Sequence, residues 1–460
     1  MARCLAMFNS ARATKDDCPV DLGRIAALEM LRRNTISAPS GPLQGMISTQ
    51  SGRSIGPLGN RAGASQLLRV VLVAAVLAAG ILAAKATDPV DFKIGYLRAN
   101  KPRTAISLVE VPPENNGLAG AQAAIADNNT TGQFLGQRFS LEDVKLKDGD
   151  NPAAAVAAMA DRGISIVLAD LPADALLQAA DAGRARGMLL FNVGASDERL
   201  RENDCRPNVI HTAPSRAMLA DALAQYLVWK QWRRWFLVVG SHEADKLFAE
   251  AIRRAARRFG AKIVGERVFE DTGGSRRSDS GVVQVQRQLP VFTQQAPAYD
   301  VLVAADESEV FAGYLPYRTW DPRPVAGSAG LVPTSWDASN DQWGATQMQD
   351  RFIKQFARRM TALDMQAWTA VRMIGESAAR TGVNSPKAML DFIKGPEFAL
   401  AAFKGQKLTV RDWNLQLRQP ILLTDGKTIV SVSPQEGFLH QFSELDTLGF
   451  DRGESKCKLN

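Results

Sequence analysis
The chain has 460 residues, 46% of them hydrophobic and 22% charged, a balance that excludes a disordered protein and leaves room for two or three domains. The net charge of +7 is concentrated at one end, because residues 1–86 hold ten Lys/Arg and four Asp/Glu whereas the remainder holds 45 basic and 44 acidic residues. A basic folded part, the electrostatic footprint of a nucleic-acid binder, is thereby excluded.

Val70 to Ala84 (VVLVAAVLAAGILAA) is an apolar run preceded by Arg61 and Arg69 and closed by Ala84-Lys85-Ala86. A basic flank, a short apolar core and an A-x-A end describe a secretory signal peptide over residues 66–86, with cleavage near Ala86. The run falls short of the ~20 residues that span a bilayer, although an uncleaved anchor stays open. Residues 1–65 read as a non-native or disordered extension, with Met46 the better initiator. Cys4 and Cys18 would then be absent from the exported protein, which keeps Cys205 and Cys457. An even pair in an exported chain points to a disulfide, here one that pins the C-terminal tail beside the loop at Cys205; two free thiols are the alternative.

Beyond Ala86, strand-like and helix-like segments alternate. Phe92–Leu97 reads as a strand, Gly117–Asn128 as an Ala-rich helix and Arg138–Leu146 as a strand. Asn151-Pro152 opens a helix with an N-cap and a first-position proline. Ile164–Ala169 is a strand, a helix runs from Leu171-Pro172 to Ala182, and Met188–Val193 is an apolar run of buried-strand length. It stops at Gly194-Ala195-Ser196, small residues that let a backbone approach a ligand closely. In an open α/β sheet, ligands bind outside the carboxyl ends of the strands, so this loop is the first binding candidate. Val209–Thr212 follows as a short strand.

Ser215 caps the next helix, to Tyr226, and the alternation repeats through strands at Trp235–Val239, Lys262–Phe269 and Tyr299–Ala305. Between them, Ala244–Phe259 is a helix whose Arg253, Arg254, Arg257 and Arg258 read as a solvated face. Asp271–Ser280 is a polar loop without phosphate-loop spacing, and Val282–Thr293 reads as a helix interrupted by Pro290. Pro324–Leu331 is a short strand. Helices follow at Ala345–Met360, Met365–Thr381 and Pro386–Lys394, then a hairpin pair over Leu408–Val432 with Asp425-Gly426 at a turn. Two units of repeated βα alternation argue for an α/β fold with parallel sheets.

This order, with Asn151-Pro-Ala-Ala-Ala-Val, Gly187–Ser196, His211-Thr-Ala-Pro-Ser-Arg and Lys404-Gly-Gln-Lys-Leu-Thr-Val-Arg, resembles the leucine/isoleucine/valine-binding proteins of ABC importers. The stretches WGATQMQDRF, DMQAWTAVRMIGE, RDWNLQLRQPILL and SVSPQEGFLHQFSELDTLG resemble one branch, the substrate-binding proteins associated with PQQ-dependent alcohol catabolism. The resemblance implies two doubly wound, Rossmann-like lobes, the type I periplasmic binding fold, closing on a ligand by hinge bending. The three crossovers would fall near His211–Pro214, Leu331–Ala338 and Lys404–Arg411. Lobe 1 would comprise residues 87–212 and 339–404, lobe 2 residues 213–331 and 405–432, and 433–460 the tail. It also implies a periplasmic monomer that works with an inner-membrane permease and uses neither cofactor nor metal.

Carried onto this chain, the family's carboxylate-holding loop is Gly194, Ala195 and Ser196. The serine of the preceding loop falls at Asp170-Leu171-Pro172, where no hydroxyl stands. The stacking aromatic falls at Ala244 beside Ser241 and His242, and a second tyrosine at Asp306 and Glu307; Trp336 and Tyr317 are further cleft candidates. The acid that pairs an α-ammonium falls near Ala329. A buried ammonium without an anion is costly, so the resemblance implies a neutral or weakly polar guest rather than an amino acid, unless Asp306 or Glu307 replaces that acid. An enzyme is disfavoured on the residues themselves. His211, His242 and His440 are the only histidines, Ser196 lies in no GxSxG elbow, and adjacent strand-end carboxylates point apart. A sensing subunit that reports to a membrane receptor is the alternative reading.

Overall fold
A computed structural model describes residues 89–100, 111–271 and 285–459. The expected extension, signal segment and most of the Asp271–Ser280 loop lie outside the described residues.

The first sheet is built from β1 (Val90–Ala99), β2 (Gln137–Leu146), β3 (Ile166–Asp170), β4 (Leu189–Asn192) and β5 (Val209–His211). All are parallel, in the order β2-β1-β3-β4-β5. Successive side chains of a strand face opposite ways, and here both faces are covered. Ile166 and Leu168 enter one apolar cluster, Val167 and Ala169 another. That double burial is why the strands read as unbroken apolar runs. The intervening helices are α1 (Leu118–Leu135), α2 (Pro152–Asp161) and α3 (Ala173–Arg184). Asn151 caps α2, its side chain accepting from the Ala153 amide at 2.9 Å.

The second sheet, again parallel, runs β7-β6-β8-β9, with β6 Arg234–Gly240, β7 Lys262–Phe269, β8 Val301–Ala305 and β9 Val325–Gly327. On one face Trp235, Leu237 and Val239 pack against α4 (Arg216–Trp229) and α5 (Glu243–Phe259); on the other lie Phe236 and Val238. The strand expected over Pro324–Leu331 stops at Gly327, because Gly327 and Gly330 both take positive φ. A Cβ at Gly327 would sit 2.2 Å from the Ala304 carbonyl oxygen, so only glycine fits that turn.

After α6 (Val285–Thr293) and α7 (Leu315–Arg318), β10 (Val332–Thr334) precedes α8 (Ala345–Phe356), α9 (Ala362–Thr381) and α10 (Pro386–Lys394). Helix α8 ends four residues before the expected Met360, since Ala357 is left-handed at φ 56°. Helix α9 lies against α1 in the first core. Two small antiparallel sheets complete the fold: β11 (Leu400–Ala401), β12 (Lys407–Val410) and β13 (Leu417–Arg418); and β10 with β14 (Ile421–Thr424) and β15 (Ile429–Ser433). Leu408, Val410, Leu415 and Leu417 pack into the first core, and Leu423 into the second. The inward side chains of β12 and β13 thus join the first sheet's core, and that of β14 the second's.

The tail is ordered despite its weak periodicity. Asp446 binds the buried Arg411 at 2.8 Å and Arg418 at 2.9 Å, and the Gly449 amide donates to Asp221 at 2.8 Å. Cys205 and Cys457 form a disulfide across a sequence separation of 252. Arg254 and Arg258 depart from the solvated-face reading: both bind the fully buried Asp221, at 3.0 and 2.7 Å.

Candidate functional site
The loop after β4 is fixed by the side chain of Asn192. Its carbonyl oxygen accepts from the Gly194 and Ala195 amides (3.2 and 2.9 Å), and its amide donates to the Ala195 carbonyl at 2.8 Å. Behind the loop, Arg201 is buried and donates to Ala195 O, Asp197 O, Ala213 O and the Gln416 side chain at 2.8–3.0 Å. One guanidinium thus ties the cleft loop to Ala213, after β5, and to Gln416, before β13. Burial lowers the pKa of Arg201 to about 10, with Glu198 and Asp197 opposing the fall. Burial also holds the neighbouring His211 well below its usual range, with the charge of Arg201 adding to the effect.

Two cavities open between the sheets' carboxyl ends. The first, of about 540 Å³, is walled by Leu171, Pro172 and Gly194 to Asp197 on one side, and by Arg216, Leu219, Phe248, Asp306, Glu307 and Ser328 on the other. The second, of about 920 Å³, shares Pro172, Asp197 and Arg216 with the first and adds Glu198, Glu243, Leu247, Arg254 and Phe450.

Arg216, in the first turn of α4, stands where the two cavities meet. Its Nε and Nη2 donate to Glu307 at 2.8–3.0 Å, and its Nη1 lies 3.4 Å from the Asp197 carboxylate without making a hydrogen bond. Asp197 follows β4 and Glu307 follows β8, so one guanidinium spans the cleft. Burial opposes the charge on Arg216, but Glu307 and Asp197 hold its pKa above the usual value. Burial pushes the Glu307 carboxyl up, against the pull of Arg216. Arg216 is buried whereas Glu307 reaches solvent, so removing Glu307 leaves a buried charge with Asp197 alone as its partner.

The α4 N-terminus is itself held across the cleft. The Ser215 hydroxyl accepts from the Met218 amide at 3.3 Å, and the Glu198 carboxylate accepts from Ala217 N at 2.5 Å. Burial raises the Glu198 carboxyl to about 6, with the Ala217 amide and Arg201 opposing the shift. Its second oxygen is buried without a hydrogen bond.

Of the expected site residues, the first cavity gathers Pro172, Gly194, Ala195, Ser196, Asp306 and Glu307. Asp170 is buried at the end of β3 outside the lining, and Trp336 is buried in the first core. Ser241 and His242 are turned to Asp271. The Ser241 hydroxyl accepts from Asp271 N at 3.0 Å, and His242 Nε2 lies 2.8 Å from the Asp271 carboxylate. Tyr317 is 85% exposed. Asp306 and Glu307 do point apart, and each is occupied. Asp306 accepts from the amides of Val310, Phe311 and Ala312 at 2.6–2.9 Å, while Glu307 holds Arg216. Sequence reasoning missed Arg216 and Asp197. A signal existed at Arg216, since a cation in a helix's first turn opposes the macrodipole and calls for another partner. Among the described residues there is no cluster of three or more His, Cys, Asp or Glu suited to a metal.

A family model described as "Periplasmic binding protein" matches residues 112–282. A sequence comparison with curated proteins gives no match. Among solved structures, a periplasmic binding protein from Burkholderia mallei is 15% identical with a TM-score of 0.59, over 81% of this chain and 99% of that one. The fold is that of a periplasmic binding protein. A branched-chain amino acid transporter substrate-binding protein from Streptococcus pneumoniae, in complex with isoleucine, is 13% identical with a TM-score of 0.55 (74% and 98% covered). A solute-binding protein from R. palustris, in complex with benzoate, is 11% identical with a TM-score of 0.56 (80% and 100% covered). The periplasmic binding proteins matched in these comparisons bind solutes and are not enzymes.

Proposed function
We propose that this chain is the periplasmic solute-binding component of an ABC importer, and that it captures a small organic solute other than a standard α-amino acid. The observation that carries this reading is the 540 Å³ cavity walled by strand-end loops of two parallel sheets, where an open α/β fold receives ligands. Isoleucine and benzoate in structures of this fold support a small guest, and their difference leaves its class to the local side chains. Neither acid that could replace the missing ammonium partner is free for one, since backbone amides engage Asp306 and Arg216 engages Glu307. The likeness of the late stretches to the PQQ-associated branch supports a link to alcohol catabolism. The lobes of this reading are residues 87–212 and 339–418, and residues 213–331 and 421–432, with export by the segment ending near Ala86.

Thermal-shift screening of the purified protein against alcohols, aldehydes, carboxylic acids and amino acids tests the reading. A non-amino-acid solute should raise the melting temperature, with micromolar affinity by calorimetry. Tight binding of leucine would overturn the exclusion of amino acids.

A further inference from the structure
The Arg216 bridge sets the charge class of the guest, an inference that rests on the cleft being a solute site. We propose that the guest is an uncharged molecule with one acceptor oxygen, an alcohol, carbonyl or amide, recognised by Arg216 Nη1 while its hydrocarbon body packs on Leu219, Phe248 and Val332. Three observations lead there. First, Nη1 is the one nitrogen of this guanidinium without a hydrogen bond, whereas Nε and Nη2 are committed to Glu307. An acceptor placed there satisfies a donor that the protein leaves unmet. Second, Asp197 and Glu307 together carry two negative charges against the single charge of Arg216, and Glu309 adds a third at the cavity wall. A carboxylate guest meets a surplus of its own sign. Third, the two carboxylates that flank the bridge already face a cation, Glu307 a bidentate guanidinium whose geometry an ammonium cannot match and Asp197 the same group at 3.4 Å, so an ammonium guest competes with Arg216 for either. The wall also offers apolar surface to a hydrocarbon body, from Leu171 and Pro172 and from Leu219, Phe248 and Val332.

The test uses two hydrocarbon bodies, pentyl and benzyl, each carrying a hydroxyl, amide, carboxylate or ammonium head, titrated calorimetrically into the full-length oxidised protein at pH 7.5. The hydroxyl or amide member should bind at least ten-fold tighter than either ion on the skeleton that fits. A carboxylate or ammonium member binding tightest on either skeleton overturns the inference and leaves the receptor reading intact. Binding by none of the eight, with no compaction in solution scattering, counts against the receptor reading and the inference with it. Glu307→Gln supplies the signature that a purely structural role lacks. It frees Arg216 for an anion, so the ratio of carboxylate to neutral affinity should rise at least ten-fold. The double variant Arg216→Gln/Glu307→Gln, which removes both members of the bidentate pair at once, should lose ten-fold for the neutral members and gain nothing for the anion. An unchanged neutral-to-anion ratio in both variants, with native circular dichroism, removes Arg216 from recognition.

Discussion

Lys404 is buried, and its Nζ donates to one neutral partner, the Gln419 side chain, which in turn donates to the Thr212 carbonyl at 2.8 Å. Burial lowers its pKa to about 7. The unfolded chain keeps this lysine protonated up to about pH 10.4. Between those values the unfolded state binds the extra proton, so stability rises with pH across the window and the penalty is fully present below pH 7. Urea unfolding should therefore show this protein gaining roughly 3–4 kcal/mol from this group between pH 7 and pH 10. Lys404→Met, close in length and uncharged, should remove that part of the slope and stabilise the fold at pH 7. A slope unaltered by the substitution would refute the assignment. Glu198 works in the opposite sense. Its carboxyl, raised to about 6, binds the proton more tightly in the folded state, so stability falls as pH rises from about 4.3 to 6. Glu198→Gln keeps an oxygen for the Ala217 amide and should be more stable than the parent at pH 8, by roughly 1–2 kcal/mol, and nearly equal to it at pH 4.5.

Among the elements, α4 and α5 are joined by more than apolar packing. Asp221 on α4 is inaccessible to solvent, and Arg254 and Arg258, one turn apart on α5, converge on it with the Gly449 amide. Asp221→Asn leaves two arginines facing a neutral amide. It should lower the unfolding free energy by roughly 3 kcal/mol, the range seen when a buried pair loses one member. Arg257→Gln, on the exposed side of the same helix, should change it by less than about 0.5 kcal/mol. Equal effects in denaturant titrations would contradict the pairing. These arginines also mark where the sequence stops being readable. The strands were legible because burial on both faces leaves an apolar run of fixed length, and α2 and α4 because Asn151 and Ser215 announce their starts. The loop Gly194–Ser196 was legible as a strand-end loop because small residues close the apolar run of β4. Arg253, Arg254, Arg257 and Arg258 look alike along the chain; what separates them is a carboxylate more than thirty residues away, brought in by helix packing. Arg216 was hidden for the same reason, its partner Glu307 lying 91 residues on. The inward turn of β12 and β13 was illegible because short hairpins carry too few residues for a face to show.

The tail joins parts that the chain order keeps apart. It reaches the first sheet's cleft loop through Glu202, whose carboxylate accepts from Lys456 N at 2.6 Å and Ser455 Oγ at 3.2 Å, and through the disulfide at Cys205. It reaches α4 through Asp221 and the β12–β13 hairpin through Arg411 and Arg418. A cross-link that closes a loop of about 250 residues restricts the unfolded chain strongly, by about 5 kcal/mol in the chain-entropy account. The native contacts of the tail do not depend on it, because Asp446 and Gly449 are anchored well before Cys457. The double variant Cys205→Ser/Cys457→Ser should thus lose several kcal/mol in denaturant unfolding. It should nonetheless keep the protease resistance of the segment around Asp446 under native conditions, with cleavage confined to the last few residues. Reducing agent should destabilise the parent by the same amount and leave the variant unchanged. Release of the whole segment from Ser433 onward in the variant would show instead that the disulfide, and not the Arg411–Asp446–Arg418 cluster, holds the tail between the two sheets.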